Sequence, residues 1–343
     1  MKSRDILLAA IVVFGFAGSA NAQAEKAPVT ADNFQRAETD HYFRVAVKQA
    51  GGIGKFFNYR EPMAIDNQTV VRANRDTLYS SIVIDLDAGP ATIMLPEADG
   101  RFMSLQAFNE DHYVVGKVEY GAGSYTFDKS KVGTRYLLVG IRTLVNPDEA
   151  ADVEKVHKLQ DAIMIEQPGG PGKFEIPDWD EASQKGVRDA LLVLASTLPD
   201  TKRMFGSKAE VDPIRHLIGT ASAWGGNPEK DALYLNVIPA RNDGNTAYTL
   251  TVPGDVPVDG FWSVSRYNAE GYYTPNKLNA YTLNNLIAKK DADGSVTIQF
   301  GDCEASVLNC LPIESGWNYM VRLYRPRASV LDGTWTFPEA KPR

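Results

Sequence analysis

Residues 81–108 read SIVIDLDAGPATIMLPEADGRFMSLQAF and set the fold class of the chain. The stretch alternates runs of β-forming residues with turn residues. The runs are 81–85, 91–95 and 102–108, and the turns are Gly89-Pro90 and Asp99-Gly100. Two further runs follow at 125–127 and 135–144. Short strands at regular spacing with turn signals between them are typical of an antiparallel β-sandwich, which we predict for this region.

Helical patterns and a second β-rich region surround this predicted sandwich. The apolar spacing predicts a leading helix over 31–49 and further helices over 146–226, the last of which begins at Asp212-Pro213. Strands return from residue 233, and Asn242-Asp243-Gly244-Asn245 predicts a hairpin between the strands on either side. We therefore expect a mainly β protein with a helical insert. Its predicted parts are 23–145 with the leading helix and first sandwich, 146–226 with the helices, and 227–343 with a jelly-roll-like sandwich.

The first 22 residues have the three-part pattern of a secretory signal peptide. Lys2 and Arg4 precede an apolar run over 6–16, and Ala20-Asn21-Ala22 supplies the small residues that a signal peptidase requires. The alternative is a membrane anchor, but the run is shorter than the roughly 20 apolar residues that span a bilayer. We predict cleavage between Ala22 and Gln23 and a soluble periplasmic or secreted protein with no membrane span.

The charge and the motif content argue against several functional classes. The 343-residue chain has a net charge of −7, and its signal segment holds Lys2, Arg4 and Asp5, a net +1, so the mature chain carries −8. Binding to nucleic acid needs a basic patch, which this composition does not favour. The sequence also has no Gly-x-Ser-x-Gly, His-Glu-x-x-His or phosphate-loop motif. We expect no nucleic-acid partner, no cofactor and no metal.

Only two cysteines occur, Cys303 and Cys310. In the oxidising environment expected for an exported protein, a close pair that flanks a loop predicts a disulfide. The alternative is a redox or metal pair. That alternative is disfavoured because such sites have closer cysteines and additional Cys or His ligands nearby.

Polar residues occupy positions at which a packed strand would carry apolar ones. In RANRDTLYSS, residues 72–81, an extended chain places Arg72, Asn74 and Asp76 on one face. Asn and Asp are poor strand residues, so this cluster indicates a specific hydrogen-bond network, and Arg offers donors that match a carboxylate. We predict a ligand anchor here; the alternative is an internal Arg–Asp pair. The candidate ligand residues are Arg72, Asn74, Arg75 and Tyr79.

A second polar segment, 109–113, ends a predicted strand. A neighbouring carboxylate fixes the tautomer of a His and prepares it to act as a base. His112, supported by Asp111 or Asp76, is therefore the candidate catalytic group, and Asn109 is a further candidate ligand residue. The alternative is a histidine that is satisfied at the surface or between domains.

A Gly-rich junction and an aromatic strand supply candidate walls for a pocket. In GTASAWGGNP, residues 219–228, two glycines allow a tight chain reversal beside the large flat ring of Trp224. The strand FWSVSRY, residues 261–267, adds aromatic rings and a charged residue that core packing does not explain. The alternative is that these rings belong to the core. The candidate ligand residues here are Trp224, Asn227, Trp262, Arg266 and Tyr267.

These same motifs resemble a bacterial, exported two-part family in which domain of unknown function 1254 precedes domain of unknown function 1214. The resemblance rests on 74–80, 109–113, 224–228 and 259–263 and covers nearly all of the mature chain. It implies an N-terminal immunoglobulin-like β-sandwich, a helical part and a C-terminal jelly-roll-like domain, in agreement with the patterns above. It implies no activity, because function resides in sites rather than in folds.

Three functions are compatible with these observations. The first, which we predict, is binding of a small molecule in a cleft between the two β-domains, where ligand sites commonly form. The second is hydrolysis of a small ester or amide, with His112 as base and Ser80, Ser81 or an activated water as nucleophile. The third is a structural or assembly role in the cell envelope, for which an exposed apolar patch is expected. A homo-oligomer is compatible with each of them.

Overall fold

The computed structural model describes residues 26–68 and 71–343, and the chain is mainly β. Within these residues it forms 16 strands and six α-helices. The predicted signal segment and the cleavage site after Ala22 lie outside the described residues. Among the helices that are described, none combines the length and the apolar character needed to cross a membrane.

The elements follow one another as two β-rich parts with helices before and between them. The first part holds α1 (Phe34–Ala50), β1 (Phe57–Asn58), β2 (Thr77–Asp85), β3 (Ala91–Leu95), β4 (Met103–Asn109), β5 (Glu119–Tyr120), β6 (Gly123–Phe127), α2 (Lys129–Val132), β7 (Tyr136–Leu144), α3 (Ala150–Asp161) and β8 (Met164–Glu166). The second part holds α4 (Glu181–Ala195), α5 (Pro213–Ser222), β9 (Ala232–Val237), β10 (Tyr248–Val252), β11 (Trp262–Tyr267), β12 (Thr282–Asn284), β13 (Val296–Phe300), β14 (Cys310–Leu311), β15 (Asn318–Tyr324), α6 (Ala328–Leu331) and β16 (Lys341–Pro342).

The first β-domain comprises β1 to β8 and is built from two antiparallel sheets. Their strand orders are β1-β2-β7-β4-β5 and β6-β3-β8. Alternate side chains point to the same face of a strand, and Ile82, Ile93 and Val139 join one buried apolar cluster that draws on both sheets. Strand β8 pairs with β3, so this domain continues to Glu166. The predicted boundary at residue 145 therefore divides the domain.

Helices α1, α4 and α5 pack together beside the five-stranded sheet. Helix α5 begins as the sequence predicts, because Asp212 caps it by accepting hydrogen bonds from the N–H groups of Ile214 and Arg215. On α1, Phe43 joins Val83 and Leu138 in a buried cluster on the face of the sheet opposite its core. The helices thus cover one end of this outer face, and its other end meets the second β-domain.

The second β-domain comprises β9 to β16, again arranged in two sheets. Their strand orders are β14-β13-β10-β16 and β12-β11-β15-β9. Leu250, Ile298 and Val321, which come from both sheets, share one apolar core. Cys303 and Cys310 form a disulfide in this domain, which confirms the pairing predicted from the sequence. The assignment of the two β-domains to the immunoglobulin-like and jelly-roll types stays a prediction.

The hairpin predicted at 242–245 is wrong, because β9 and β10 lie in different sheets. Strand β9 pairs with β15, and β10 pairs with β13. Asp243 forms a local turn by accepting hydrogen bonds from the N–H groups of Asn245 and Thr246. It also forms an isolated β-bridge with Ser315. The turn residues therefore carry the chain from one sheet to the other instead of reversing it within one sheet.

Strand alternation gives the sheet β12-β11-β15-β9 two different faces. On β11, Trp262 and Val264 point into the core of the second β-domain. Ser265 and Tyr267 point the other way, and Arg322 on β15 lies beside them. This outer face meets the first β-domain and carries polar and aromatic side chains in place of aliphatic ones.

Candidate functional site

The two β-domains meet across a layer of polar and aromatic side chains, which we call the interdomain layer. It draws on the segment 72–76, β2 and β7 from the first β-domain and on β9, β11, β12 and β15 from the second. All of its members are buried or half-buried, so their polar groups need partners. The members are Arg72, Asn74, Arg75, Asp76, Tyr79, Arg142, Tyr234, Tyr267, Thr282, Asn284, Arg322 and Tyr324.

The segment 72–76 is irregular, with a turn at Arg72 and a bend at Asp76, and it is not the strand that the alternation argument assumes. Strand β2 begins only at Thr77, and Arg72 has a positive φ of 53°. The Asn74 side chain accepts a hydrogen bond from the Asp76 N–H at 2.9 Å, a local turn that Asn favours. The predicted residues 72, 74 and 76 nevertheless all contact the second β-domain. They do so by separate contacts rather than by sharing a strand face.

Asp76 is fully buried in the interdomain layer and links the two β-domains. Its Oδ1 accepts hydrogen bonds from Asn284 Nδ2 at 3.0 Å and from Thr282 Oγ1 at 3.2 Å. Its Oδ2 has no partner among the described residues. The carboxylate forms no salt bridge with any described side chain, so the alternative of an internal Arg–Asp pair is not formed. Its partners lie in the second β-domain and not at His112.

Arg322 occupies the centre of the layer, with both terminal nitrogens hydrogen-bonded to neutral oxygens. Its Nη1 donates to Ser265 Oγ at 2.8 Å, and its Nη2 donates to Tyr267 Oη at 2.7 Å. Across the domain boundary, Nη2 also lies 2.8 Å from the carbonyl oxygen of Arg72 and 3.2 Å from that of Ala73. This guanidinium therefore joins β15 to the segment 72–76.

Arg72 and Arg75 each place a guanidinium over an aromatic ring. The Cζ of Arg72 lies 5.6 Å from the centre of the Tyr267 ring, and that of Arg75 lies 5.4 Å from the centre of the Tyr281 ring. Arg72 also donates to Asn318 Oδ1 at 2.6 Å, and Arg75 donates to a backbone carbonyl. Both cations are thus held by neutral groups and rings, a favourable arrangement for Arg.

Arg142 on β7 lies where the first β-domain meets the loop that leads into the second. Its Nη1 donates to Gln106 Oε1 at 2.8 Å and to Asn227 Oδ1 at 3.3 Å, and its Nη2 donates to the Gly225 carbonyl at 2.8 Å. A guanidinium has five N–H donors. The Nε–H and one Nη2–H of Arg142 make no hydrogen bond of normal geometry with residues 26–68 and 71–343, although the Tyr79 phenol lies close enough to interact with the guanidinium. This half-buried cation is the group of the layer with donors to spare.

Three tyrosine hydroxyls surround Arg142, and each accepts a hydrogen bond without donating one to any described residue. Tyr79 Oη accepts from Asn74 Nδ2 at 3.0 Å, and Tyr324 Oη lies 3.5 Å from the same nitrogen. Tyr234 Oη accepts from Asn227 Nδ2 at 2.7 Å. A phenol that accepts at its oxygen still carries an O–H donor. Three such donors and the free N–H groups of Arg142 remain for another molecule.

The pKa values of the Tyr79 and Tyr324 phenols are shifted in opposite directions. Burial raises the pKa of Tyr79, but the Arg142 guanidinium and the Asn74 amide outweigh burial, so the net change in its pKa is downward. Burial raises the pKa of Tyr324 well above its usual value, and the neighbouring Tyr234 and Tyr79 phenols add to the effect. The favoured anionic form near Arg142 is therefore that of Tyr79.

The loop after α5 is held on the outer face of the first β-domain. His112 Nε2 accepts a hydrogen bond from the Gly225 N–H at 2.9 Å, and Gln106 Nε2 donates to the Gly226 carbonyl at 2.9 Å. The Trp224 ring stacks on His112, with 5.2 Å between the ring centres. A Cβ at Gly226 would lie only 2.4 Å from the ring of Phe205, so glycine is needed for this close approach.

His112 is buried, and both of its ring nitrogens are occupied. Its Nδ1 lies 2.9 Å from Thr220 Oγ1, and because Nε2 accepts from a backbone N–H, we assign the ring proton to Nδ1. Burial and the neighbouring His216 hold the pKa of His112 well below its usual value. The neutral imidazole has no free nitrogen for a substrate proton. The geometry therefore does not favour His112 as a catalytic base.

The other residues of the hydrolase hypothesis lie apart from one another. Asp111 pairs with Arg36, with Oδ1 2.6 Å from Nη2, and makes no hydrogen bond to His112. Ser80 Oγ is buried and has no hydrogen-bond partner in the described part of the chain. Asn109 Oδ1 accepts from two N–H groups of its own turn, which is a structural role. A serine nucleophile needs an adjacent base, and Ser80 has none.

Strand alternation separates the three candidate residues of β11. Tyr267 joins the interdomain layer, where its Oη donates to the Ala73 carbonyl at 2.8 Å. Trp262 points to the opposite face, lies in the core of the second β-domain and lines a shallow cavity of about 140 Å³. Arg266 shares that opposite face and pairs with Glu314 at 2.8 Å. Trp262 and Arg266 therefore contribute nothing to a site between the domains.

Sequence reasoning misses six members of the layer: Arg142, Tyr234, Thr282, Asn284, Arg322 and Tyr324. A signal for two of them is present, because Arg142 and Arg322 are charged residues within the otherwise apolar strands YLLVGIRTL and NYMVRLY. The same signal singles out Arg266 in the prediction. The two tyrosines carry no local signal, because aromatic residues are common in strands of any role.

The chemistry of the layer suits an anion better than a metal. Its unused groups are guanidinium N–H and phenol O–H donors, which bind carboxylates and other oxyanions. Over the ranges 26–68 and 71–343, no group of three or more His, Cys, Asp or Glu side chains is arranged to hold a metal ion.

Family models match two separate regions of the chain. The model of DUF1254, a protein of unknown function, matches residues 53–167, and the model of DUF1214, also a protein of unknown function, matches residues 239–328. The two matches and their order confirm the predicted resemblance. The first region contains Tyr79 and Arg142, and the second contains Arg322 and Tyr324. A comparison with curated proteins finds no match to the sequence.

Two solved bacterial proteins have similar structures. The VPA0106 protein from Vibrio parahaemolyticus has a TM-score of 0.68 and 17% sequence identity, over 91% of this chain and 98% of that chain. An uncharacterised protein from Burkholderia cenocepacia has a TM-score of 0.49 and 14% identity, over 94% of this chain and 91% of that chain. At this identity, the likeness to the Vibrio protein concerns the fold alone, and it covers both β-domains.

Proposed function

We propose that this chain, which belongs to the family that joins DUF1254 to DUF1214, binds a small organic anion between its two β-domains. Arg142 holds the negative charge of the ligand, and the O–H groups of Tyr79, Tyr234 and Tyr324 donate to its oxygens. Asn74 and Asn227 orient the phenols through the hydrogen bonds described above.

The charge balance of the interdomain layer is the observation that carries this proposal. The layer contains four guanidiniums, those of Arg72, Arg75, Arg142 and Arg322, and one carboxylate, that of Asp76, an excess of three positive charges. None of these five groups forms a salt bridge with a described residue. Unpaired charge between two domains is costly. A bound anion offsets that cost.

The unused donors favour Arg142 as the place where the anion binds. The terminal N–H groups of Arg322 donate hydrogen bonds to four oxygens. The Nε–H and one Nη2–H of Arg142 make no such hydrogen bond to the described residues. A planar pair of N–H donors matches a carboxylate, which accepts two parallel hydrogen bonds. Beside it, Phe261 stacks on Tyr324 at 4.2 Å, and Phe102 meets Phe261 at 5.0 Å. These rings suit the apolar part of an organic anion.

We also propose that the protein is exported to the periplasm or secreted. The signal pattern in residues 1–22 and the Cys303–Cys310 disulfide both support this location, because disulfides persist in oxidising compartments. A ligand outside the cytoplasm is then a small molecule of the periplasm or of the surroundings.

Isothermal titration calorimetry with pyruvate, benzoate and phosphate tests the proposed binding. We expect at least one of the two carboxylates to bind, and we expect Arg142→Met to weaken that binding at least tenfold, about 1.4 kcal/mol or more. Native mass spectrometry of the protein purified from its own host serves as a second measurement, in which a retained small anion is expected.

Arg327→Met is the matched control, because it removes the same charge from an exposed ion pair with Asp259. This variant should bind the anion as the wild type does. The proposal is overturned if neither carboxylate binds and no anion is retained from the host, or if Arg142→Met and Arg327→Met bind equally well.

A further inference from the structure

Two tyrosines from different β-domains meet at one amide group of the proposed anion site. Asn74 Nδ2 lies 3.0 Å from Tyr79 Oη, on β2, and 3.5 Å from Tyr324 Oη, on β15. Arg142 lies directly opposite Tyr79 in the β2–β7 pair, and its Cζ is 5.5 Å from the centre of the Tyr79 ring. The two phenol oxygens and the guanidinium therefore lie close to one another.

The surroundings of the two phenols differ in the way that separates a base from an acid. The pKa of Tyr79 is lowered on balance, because Arg142 and Asn74 outweigh its burial, whereas burial raises the pKa of Tyr324 well above its usual value. Pairs of titratable groups whose environments push their pKa values apart are a mark of acid–base sites. The charged and titratable groups that act on this pair are Arg142, Tyr234, Asp76 and Arg322.

Building on the proposed binding function, we propose that the interdomain site also catalyses proton transfer at carbon. Its substrate is a 2-oxo acid, whose carboxylate binds Arg142. Tyr79 acts as the base only after it has lost the O–H proton that it offers in simple binding, and its phenolate then removes a proton from the carbon next to the ketone. Tyr324, as the neutral phenol, donates a hydrogen bond to the ketone oxygen.

The atoms and electrons of this step balance without any further reagent. The C3–H bond of the 2-oxo acid breaks, and its proton forms the O–H bond of Tyr79. The electron pair of the C–H bond forms the C2–C3 double bond, and the carbonyl π pair moves to the oxygen to give an enolate. Tyr324 stabilises the enolate oxygen by a hydrogen bond. Return of a proton from Tyr79 restores the ketone.

The substrate class follows from what the site offers. Arg142 requires an anionic group, and Tyr324 requires an oxygen on which negative charge develops during the reaction. Tyr79 requires a carbon acid within hydrogen-bond distance of its oxygen. A 2-oxo acid brings a carboxylate, a carbonyl and an acidic C–H together within three carbons, which matches the guanidinium of Arg142 and the two phenols described above.

Proton exchange in heavy water tests this proposal directly. Pyruvate and 2-oxobutyrate are incubated with the protein in D₂O, and the loss of the C3 proton signal is followed by NMR. We expect the wild type to exchange these protons about 100-fold faster than Tyr79→Phe does, the usual contribution of a general base. Tyr324→Phe should slow the exchange about tenfold. Each variant lacks one hydrogen bond to the anion and should bind the probes more weakly in calorimetry, so the exchange rates are compared at saturating probe concentrations.

The variants separate this proposal from the binding function. If both probes bind but the wild type and Tyr79→Phe exchange at equal rates, proton transfer is overturned and binding stands. If neither probe binds, both proposals are overturned for 2-oxo acids. Arg142→Met should lose binding and exchange together.

Absorbance at 295 nm gives a readout that does not depend on the probes. The titration of the wild type minus that of Tyr79→Phe should show one phenol that ionises below pH 10, and Arg142→Met should move that phenol to higher pH. A difference curve that coincides with the ordinary tyrosines overturns the proposal even if the Phe variant is poorly folded in the exchange assay.

Discussion

Arg142 and Arg322 lie in the same interdomain layer, and the difference between them separates structure from function. Arg322 is 2% exposed, and its terminal nitrogens contact four oxygens, from Ser265, Tyr267, Arg72 and Ala73. Arg142 is half-buried, and two of its N–H groups make no hydrogen bond of normal geometry in the described part of the chain. Neither forms a salt bridge there.

The comparison teaches that burial of a charge does not by itself indicate a ligand site. A buried polar group with all of its hydrogen bonds made is part of the architecture, whereas one with unused donors calls for an explanation. Arg322 ties the second β-domain to the segment 72–76. Arg142 leaves part of its hydrogen-bonding capacity, together with three phenol O–H groups, for a molecule that comes from outside.

Arg322→Met should give the largest loss of stability. The change removes the guanidinium donor from Ser265 Oγ and from the Arg72 carbonyl, and it removes a cation that interacts with the buried Asp76. A buried acceptor left unsatisfied costs about 1–3 kcal/mol, so the loss of both donors should cost about 2–6 kcal/mol. Urea denaturation followed by tryptophan fluorescence measures the loss.

Arg327→Met, which breaks an exposed ion pair, is the control and should cost less than about 1 kcal/mol of stability. Equal losses of stability in the two variants would show that Arg322 has no structural role.

Asp40→Asn should stabilise the protein at alkaline pH, which extends the comparison to a buried anion outside the layer. Asp40 is 1% exposed, Trp179 Nε1 donates to its Oδ2 at 2.8 Å, and its Oδ1 has no partner among the described residues. Burial raises the pKa of Asp40 to about 7. Unlike Arg142, this group lies within helix packing, so we expect it to reduce stability and to bind nothing.

The sign of this effect follows from the proton balance. Between pH 4 and pH 7 the folded protein keeps the Asp40 proton that the unfolded chain has released, so stability falls as the pH rises through this range and stays low above it. Asn cannot ionise, so the variant should gain about 2–4 kcal/mol over the wild type at pH 8.5 and little at pH 4. Thermal unfolding at both pH values measures this, and an equal gain at both would show that ionisation is not the cause.

His112→Ala should cost about 2 kcal/mol, because the Gly225 N–H loses its acceptor and the ring leaves a cavity beside Trp224. His112→Gln, which can place an acceptor near the former Nε2, should recover part of this. The same variants test the hydrolase hypothesis on p-nitrophenyl acetate. We expect equal rates of ester hydrolysis for the wild type and both variants. A lower rate with His112→Gln, despite its restored stability, would support His112 as a catalytic base.

Much of the fold is legible in the sequence because it depends on local patterns. Turn dipeptides and alternating strands predict β3 and β4, Asp212-Pro213 predicts the start of α5, and the close cysteine pair predicts the disulfide. The hairpin at 242–245 fails for a long-range reason: a turn signal reports that the chain bends, but not which sheet the next strand joins.

The candidate site can be predicted only in part, because it forms where one face of each β-domain packs against the other. The polar run 72–76 is correctly singled out, although it is irregular and not a strand. Tyr234 and Tyr324 become site residues only because β9 and β15 present them to β2 and β7, and no local pattern records that pairing of faces. On β11, alternation alone would have separated Tyr267 from Trp262 and Arg266 had the direction of the core been known.

Arg142→Met should change stability least in the absence of an anion, which is the sharpest form of the comparison. The variant loses the hydrogen bonds to Gln106, Asn227 and the Gly225 carbonyl. Because this cation is half-buried and forms no salt bridge, its removal also reduces the excess positive charge of the layer. The free energy of unfolding should therefore fall by about 1 kcal/mol or less. Pyruvate should raise the unfolding temperature of the wild type and of Arg327→Met, since a ligand that binds only the folded state stabilises it. It should leave Arg142→Met unchanged. The contradicting outcome is that Arg142→Met loses as much stability as Arg322→Met and still responds to pyruvate. Arg142 would then be a structural residue like Arg322, because its removal would destabilise the interdomain layer without affecting binding of the anion.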